Sequence, residues 1–274
     1  MLKQRILTAS LLIPLLVICV LYFSTPFFAL ILGLFVLLGA WEWAGLSGWT
    51  NPHHKGIYTG LFAVLMGLVY FGLQAQTIML GWFVSVASVG WLIALWWVWQ
   101  YQQGQDYLPM QRQVKTALGI WILLPAWCAL WMLHAGRGGR WVLFLLVLIW
   151  AADTGAYFAG RQWGKTKLAD KVSPGKTWAG VWGALVLSLS VTLIFGSLLE
   201  NLTVSAIILL LLIALLTVIA SILGDLLESL FKRKAGVKDS GQLLPGHGGV
   251  LDRIDSLTAA APIFVMSLFI VGSL

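Results

Sequence analysis

Charge is what this sequence has least of. Asp, Glu, Lys and Arg make up 10% of its 274 residues, where a soluble globular domain carries roughly 25%. So few charges cannot cover a water-soluble fold of this length, and the 60% of hydrophobic residues must find lipid instead. Cysteine is nearly absent. Cys19 and Cys128 both lie inside apolar runs, which excludes a disulfide scaffold or a cysteine-rich metal site and leaves two packing residues. No repeat of fixed period is visible. The basic start "MLKQR" and the apolar run after it raise a signal peptide, but the run is long, no A-x-A pattern closes it, and further spans follow. It reads as a retained first span. The net charge of +7 does not point to nucleic acid in such a chain, because basic loops set membrane topology. No nucleic-acid partner is expected.

What the sequence has in abundance is apolar runs. A helix needs about 20 mostly apolar residues to cross a bilayer. Nine runs qualify: 6–23, 27–46, 56–73, 78–99, 116–134, 141–160, 177–199, 203–224 and 257–274. The expected fold class is therefore all-α, a polytopic integral membrane protein of about nine transmembrane helices. Sixteen Trp and thirteen Phe suit its many bilayer–water boundaries. With the N-terminus in the cytoplasm, the segments 1–5, 47–55, 100–115, 161–176 and 225–256 face the cytoplasm, and 15 of the 17 Lys and Arg fall in them. The exceptions are Arg137 and Arg140. Positive-inside bias thus predicts N-in/C-out. Ionisable residues inside spans concentrate after about residue 135. This divides the chain into N-terminal transmembrane helices (1–135, support and lipid access) and a C-terminal transmembrane catalytic region (136–274).

An ionisable side chain inside a span is costly and marks function by default. Four acids qualify: Glu42, Asp153, Asp225 and Glu228. All fall on the expected cytoplasmic side. Thr217, Ser221, Asp225 and Glu228 recur at helical spacing, as do Asp153, Tyr157 and Arg161, so each set forms one polar stripe. Such a stripe faces a wet cavity or another polar stripe. Gly224 beside Asp225 allows close backbone approach. Glu42, a lone acid between tryptophans, reads equally well as a snorkelling or helix-pairing residue.

The segment "KLADKVSPGKTWAGVWG" (167–183) contains Gly-Lys-Thr. A Walker motif needs Gly five positions before Gly175, and Asp170 stands there; no β-strand leads in either. The physics of anion binding survives without the motif. Ser173 is a good N-cap and Pro174 suits a first helical position, so the seventh span is expected to start there. Its free N–H groups, with Lys176 and Thr177, would meet a phosphate. A capped helix with a snorkelling lysine fits the segment as well.

Residues 229–255 read "SLFKRKAGVKDSGQLLPGHGGVLDRID". The cations Lys232, Arg233, Lys234 and Lys238 would suit a membrane anchor. That role leaves "KDSG", "PGHGG" and "DRID" unexplained. Asp252 and Asp255 lie three apart at the start of the last span and share a helix face. With Asp225 and Asp239 they are hard oxygen ligands of the kind Mg²⁺ takes alongside substrate phosphates. Arg253 could clamp a phosphate. Gly246, Gly248 and Gly249 would let backbone approach a ligand, and His247 could donate to a phosphate oxygen. Metal-assisted phosphoryl or nucleotidyl transfer at a membrane face follows.

This stretch resembles the signature of the phosphatidate cytidylyltransferase (CDP-diglyceride synthase) family. The positions that carry the resemblance are Ser229, Lys232, Arg233, Lys238, Asp239, Gly241, Pro245, His247, Gly248, Gly249, Asp252, Arg253 and Asp255. "DTGAYFAGR" and "SPGKTWAG" are similar to that family's segments too. The resemblance implies an enzyme that takes CTP and phosphatidic acid among membrane lipids and releases pyrophosphate and CDP-diacylglycerol. It implies Mg²⁺, with a second ion such as K⁺ beside it, a homodimer, and a multi-pass protein of the cell (inner) membrane with its site facing the cytoplasm. In such an enzyme Asp225 and Asp252 lead as metal ligands, with Asp255 and Asp239 outside them. Lys238 and Arg253 join Asp225 and Asp252 in catalysis. Ser173, Lys176, Thr177, Lys232, Arg233, His247, Gly248, Gly249 and Asp153 bind substrate. Two rivals remain: another lipid-phosphate enzyme such as a CTP-dependent polyprenol kinase, and a transporter with intramembrane acids. Against a transporter, no paired inverted repeats are visible, and the acids gather at one face instead of the midplane.

Overall fold

The computed structural model describes residues 2–73, 77–109, 111–199, 203–243 and 248–272. The elements run α1 (Leu2–Tyr22), α2 (Thr25–Leu46), α3 (Pro52–Leu73), α4 (Thr77–Val89), α5 (Trp91–Gln103), α6 (Arg112–Arg137), α7 (Gly139–Trp163), β1 (Lys167–Ala169), β2 (Ser173–Thr177), α8 (Trp178–Ser197), α9 (Val204–Lys234) and α10 (Leu251–Ile270). Eight helical stretches are long and apolar enough to cross a membrane, α4 and α5 counting as one over Ile78–Gln103. α1 adds an apolar stretch over Leu12–Tyr22. These are the nine segments that hydropathy predicts.

Their limits differ where side chains intervene. The fourth segment breaks at Gly90, where the Trp121 ring packs so closely that a Cβ would lie 2.6 Å from it. Trp121 Nε1 donates to the Ala87 carbonyl at 3.0 Å. α9 continues ten residues past the expected end of its span, so Asp225, Glu228 and Lys232 sit on a regular helix instead of a loop. α10 begins at Leu251, six residues before its apolar run, which carries Asp252 and Asp255 into its first turns.

Lipid tails are as apolar as leucine, so helices in a bilayer associate through packing and interhelical hydrogen bonds, the latter worth about 0.6 kcal/mol each. The tryptophans divide accordingly. Trp82, Trp99, Trp178 and Trp182 are exposed, while Trp43, Trp91, Trp127 and Trp131 are buried. Trp43 Nε1 donates to the Lys115 carbonyl at 2.8 Å, and Trp127 Nε1 to the Ala29 carbonyl at 2.9 Å, tying α6 to α2. One hydrophobic core runs through both halves of the chain, from Val20 and Trp43 to Leu227 and Phe264.

Connections alternate between two ends. At one end His134 joins the Val20 carbonyl at 3.1 Å and Thr25 Oγ1 at 3.0 Å, so the turn after α1 meets the end of α6. At the other end the tail of α5, the β-hairpin, the C-terminus of α9 and the start of α10 converge. Gln102 reaches Asp170, Lys234 pairs with Asp106, and Arg233 Nε donates to the Val172 carbonyl at 3.3 Å. The connections after the fourth, sixth and eighth spans are therefore brought together, as the charge pattern requires.

Candidate functional site

The approach to α8 differs from its expected form. Ser173 is not the helix cap. It is the first residue of β2, half-buried and paired antiparallel with Ala169 of β1. Thr177, the last residue of β2, is the cap: its hydroxyl accepts from Gly180 N at 3.1 Å. The physical reason is the hairpin. Extended backbone over 173–177 pairs with 167–169, and Trp178 N bonds to the Thr166 carbonyl at 3.1 Å. The N-terminus of α8 is thereby delayed by one strand. Gln102 holds the hairpin from outside, donating to Asp170 while its Oε1 accepts from Lys171 N at 3.1 Å. The Gln102 hydrogen bond holds the Asp170 carboxyl below its ordinary value, so this clasp persists at neutral pH and is lost as pH falls through that lowered value.

The hairpin delivers Lys176 to a cavity of about 250 Å³ between α7, α8 and α9. That is just under the usual small-molecule range, which begins at about 300 Å³. Asp153 and Tyr157 line it from α7, Thr177 and Gly180 from the start of α8, Ser221 and Asp225 from α9, and Ser256 from α10. Lys176 Nζ sits 2.7 Å from Asp225 Oδ2. The same ammonium donates to the Ile222 carbonyl at 3.3 Å, and Asp225 Oδ1 accepts from Ser229 Oγ at 3.3 Å. Asp153 lies within electrostatic range of both Asp225 and Lys176. The two polar stripes thus face one another across the cavity. Arg161 continues the α7 stripe, donating to the Tyr157 hydroxyl at 3.1 Å. Thr217 is turned back onto its own helix, to the Ile213 carbonyl at 2.7 Å.

α9 and α10 cross beside this cavity. A Cβ on Gly224 would lie 2.5 Å from the Asp255 carbonyl oxygen, so only glycine permits the approach. The crossing sets Asp255 next to Asp225 and against Glu228. Gly224→Val should therefore push α10 away and lower turnover by at least tenfold with a fall in thermal stability. A variant with wild-type melting and turnover in detergent would refute this contact.

Asp252 points to a different set of partners. Its side chain is 8% exposed and accepts from Lys232 Nζ at 2.7 Å. It also takes Gly249 N at 2.8 Å and Ser240 N at 3.0 and 3.2 Å. Lys232 Nζ is 3.4 Å from Glu228 Oε2 as well. Asp252 therefore binds the two ends of its own loop, while Asp255 is the residue beside Asp225. Lys238, Asp239, Arg233 and Arg253 are exposed at the same end. Gly248 adopts φ +84° with the Asp239 side chain beside it, and a Cβ there would lie 2.9 Å from Asp252 Oδ2. His247, with Pro245 and Gly246, lies outside the described residues.

One residue here is weakly marked in the sequence. Glu42, on α2, is 3% exposed and accepts from Val250 N, Leu251 N and Ser240 Oγ. A single acid near an interface carries no spacing signal. Only its position between tryptophans in an apolar span distinguishes it.

The donor set bears on Mg²⁺. No three His, Cys, Asp or Glu among the described residues surround a common point closely enough to cage an ion. Mg²⁺ is usually held by one or two carboxylates with waters and substrate phosphates completing its octahedron. Asp225, Asp255 and Asp153 supply that chemistry beside a polar cavity. Glu228, buried behind them, pairs with Lys232 at 3.4 Å and faces Asp255. The residues fit such an ion in that mode.

Comparison with known proteins identifies the family. Residues 3–271 match the Cytidylyltransferase family. A Pseudomonas aeruginosa protein named phosphatidate cytidylyltransferase is 46% identical over 277 residues, 99% of this chain and 98% of that protein. One of the same name from Haemophilus influenzae is 40% identical over 291 residues, 99% and 100% of the two chains. A third, from Bacillus subtilis, is 45% identical over 134 residues, 48% and 49% of the two. With the match running almost from end to end, and with intramembrane acids, the Lys176 hairpin and the Asp252-anchored loop gathered at one end of an apolar bundle, this chain belongs to the cytidylyltransferase family of membrane enzymes.

Proposed function

We propose that this protein transfers CMP from CTP to phosphatidic acid, releasing pyrophosphate and leaving CDP-diacylglycerol in the membrane. The observation that carries the reading is the Lys176–Asp225 pair in a polar cavity walled by apolar helices. A phosphatidate phosphate is already ionised at neutral pH, so its oxygen can attack the α-phosphorus of CTP without a general base. The bond to the β-phosphate oxygen then breaks, and pyrophosphate leaves with that electron pair. The barrier is the approach of two anions, and fixed cations lower it. Lys176, aimed by Asp225, would meet phosphate in the cavity. Lys232, Arg233, Lys238, His247 and Arg253 would attract and hold CTP or lipid phosphates. Ser173 shares β2 with Lys176, and Gly248 and Gly249 leave backbone room at the loop end.

Asp225 and Asp255 are the favoured ligands for Mg²⁺, with Asp153 and Asp239 outside them and Asp252 supporting through its loop. A second ion such as K⁺ would use the same carboxylate cluster. Bound there, Mg²⁺ would offset phosphate charge and stabilise charge building on the α-phosphate. Purified protein in detergent, given radiolabelled CTP and phosphatidate, should form CDP-diacylglycerol plus pyrophosphate. Removing divalent ions with a chelator should cut the rate at least 100-fold, and Mg²⁺ should restore it. Release of CDP would instead identify a kinase, and absence of turnover would count against the enzymatic reading.

The charge pattern supports N-in/C-out insertion in the inner membrane with the cavity facing the cytoplasm, which labelling of Lys238→Cys from one side would check. The helices of 1–135 would support the site and admit lipid. A homodimer is the expected assembly, read as molecular mass in detergent.

A further inference from the structure

We propose that Glu42 is a positioning residue for the reaction: a carboxylate from the N-terminal helices that holds the α9–α10 loop in its phosphate-binding form. The inference rests on the functional reading above and adds a residue from outside the motif-bearing half.

Three donors meet the Glu42 carboxylate. Val250 N donates to Glu42 Oε1 at 3.0 Å, and Leu251 N to Oε2 at 2.7 Å. These are amides at the start of α10, where backbone N–H groups lack helical partners, and a carboxylate there also meets the positive end of the helix dipole. Val250, the residue at the cap position, has an apolar side chain that cannot do this. Ser240 Oγ donates to Glu42 Oε2 at 3.1 Å. One carboxylate thus bridges the residue after Lys238–Asp239 and the residues before Asp252. Two glycines make room for it. A Cβ on Gly241 would lie 2.3 Å from Glu42 Oε1, and one on Gly249 would lie 2.5 Å from Oε2.

Glu42 works beside Asp252 without duplicating it. Asp252 takes Ser240 N and Gly249 N; Glu42 takes the Ser240 hydroxyl and the next two amides. Together they secure both described ends of the segment that carries Lys238, Asp239, Gly248 and Gly249. None of the hydrogen-bond partners of Glu42 among the described residues lines the Lys176–Asp225 cavity, so its effect on chemistry passes through the loop.

Glu42→Gln is the first test. The amide has the same shape but only one acceptor oxygen, so its NH₂ group must face a backbone N–H or the Ser240 hydroxyl. The expected result is a tenfold or greater loss in kcat/KM, with the melting temperature in detergent near wild type. Hydrogen exchange should accelerate in peptides spanning 238–252 and stay unchanged in α7 and α8. Ser240→Ala should lose less, about threefold. The Glu42→Gln/Ser240→Ala double variant should lose less than the product of the two single losses, because both changes act on the same contact. Wild-type exchange over 238–252 in folded Glu42→Gln, or turnover within twofold of wild type, would overturn the proposal. A global fall in stability with exchange rising in all helices would also overturn it, since Glu42 would then serve the fold as a whole. If Glu42→Gln does not fold, additive losses between Ser240→Ala and a conservative Glu42→Asp variant would count against it. Exchange does not depend on CTP turnover. A failure of the enzymatic reading would appear as an inactive wild-type protein whose loop still loosens in Glu42→Gln.

Discussion

Asp225→Asn should lower CTP turnover about 10³-fold and leave the protein folded. Asparagine keeps the shape and still accepts from Ser229, but it removes the negative charge 2.7 Å from Lys176. That pair is partly open to the cavity, 23% and 31% exposed, so its loss should cost at most about 1 kcal/mol of stability. The chemical effect is larger because one charge both aims the ammonium and supplies a hard oxygen donor, and losing one fixed electrostatic element of an active site costs about 10²–10³ in rate. Initial rates at saturating CTP, set beside melting in the same detergent, separate the two effects. Turnover within tenfold of wild type would remove Asp225 from the reaction.

Asp252→Ala is expected to fail in a different way. The side chain is buried, and alanine would strand the Lys232 ammonium, Ser240 N and Gly249 N. Breaking a buried ion pair on one side costs about 3–5 kcal/mol. Glu228 remains 3.4 Å from Lys232, which places the expected loss near the lower end. Activity should fall with stability, and exchange over 238–252 should rise. Adding Lys232→Met to Asp252→Ala should not restore activity, because the loop stays unanchored and Glu228 then loses its cation. Unchanged melting in Asp252→Ala would show that this cluster does not hold the loop.

These two aspartates mark the boundary between what spacing reveals and what it does not. Asp252 and Asp255, three apart, do share the face of α10 that meets α9. Spacing alone could not say which of them lies beside Asp225. That depends on the Gly224 crossing, where the α10 backbone at Asp255 touches α9 and leaves Asp252 one turn nearer the loop. The Ser173–Thr177 difference has a similar origin. Ser-Pro is a good helix start locally, but pairing with Lys167–Ala169 outweighs it and moves the cap to Thr177.

By itself the sequence determined the nine apolar segments, the shared end at which their basic connections gather, and the candidate residues for a site there. It could do so because a bilayer leaves the backbone few options and makes every buried charge costly. Tertiary structure alone decided the partners: Lys176 with Asp225, Asp252 with Lys232, Glu42 with amides 208 and 209 residues away. Helical periodicity assigns a side chain to a face. The neighbour that face meets is set by helix packing, through a glycine crossing or a buried carboxylate that no local pattern announces.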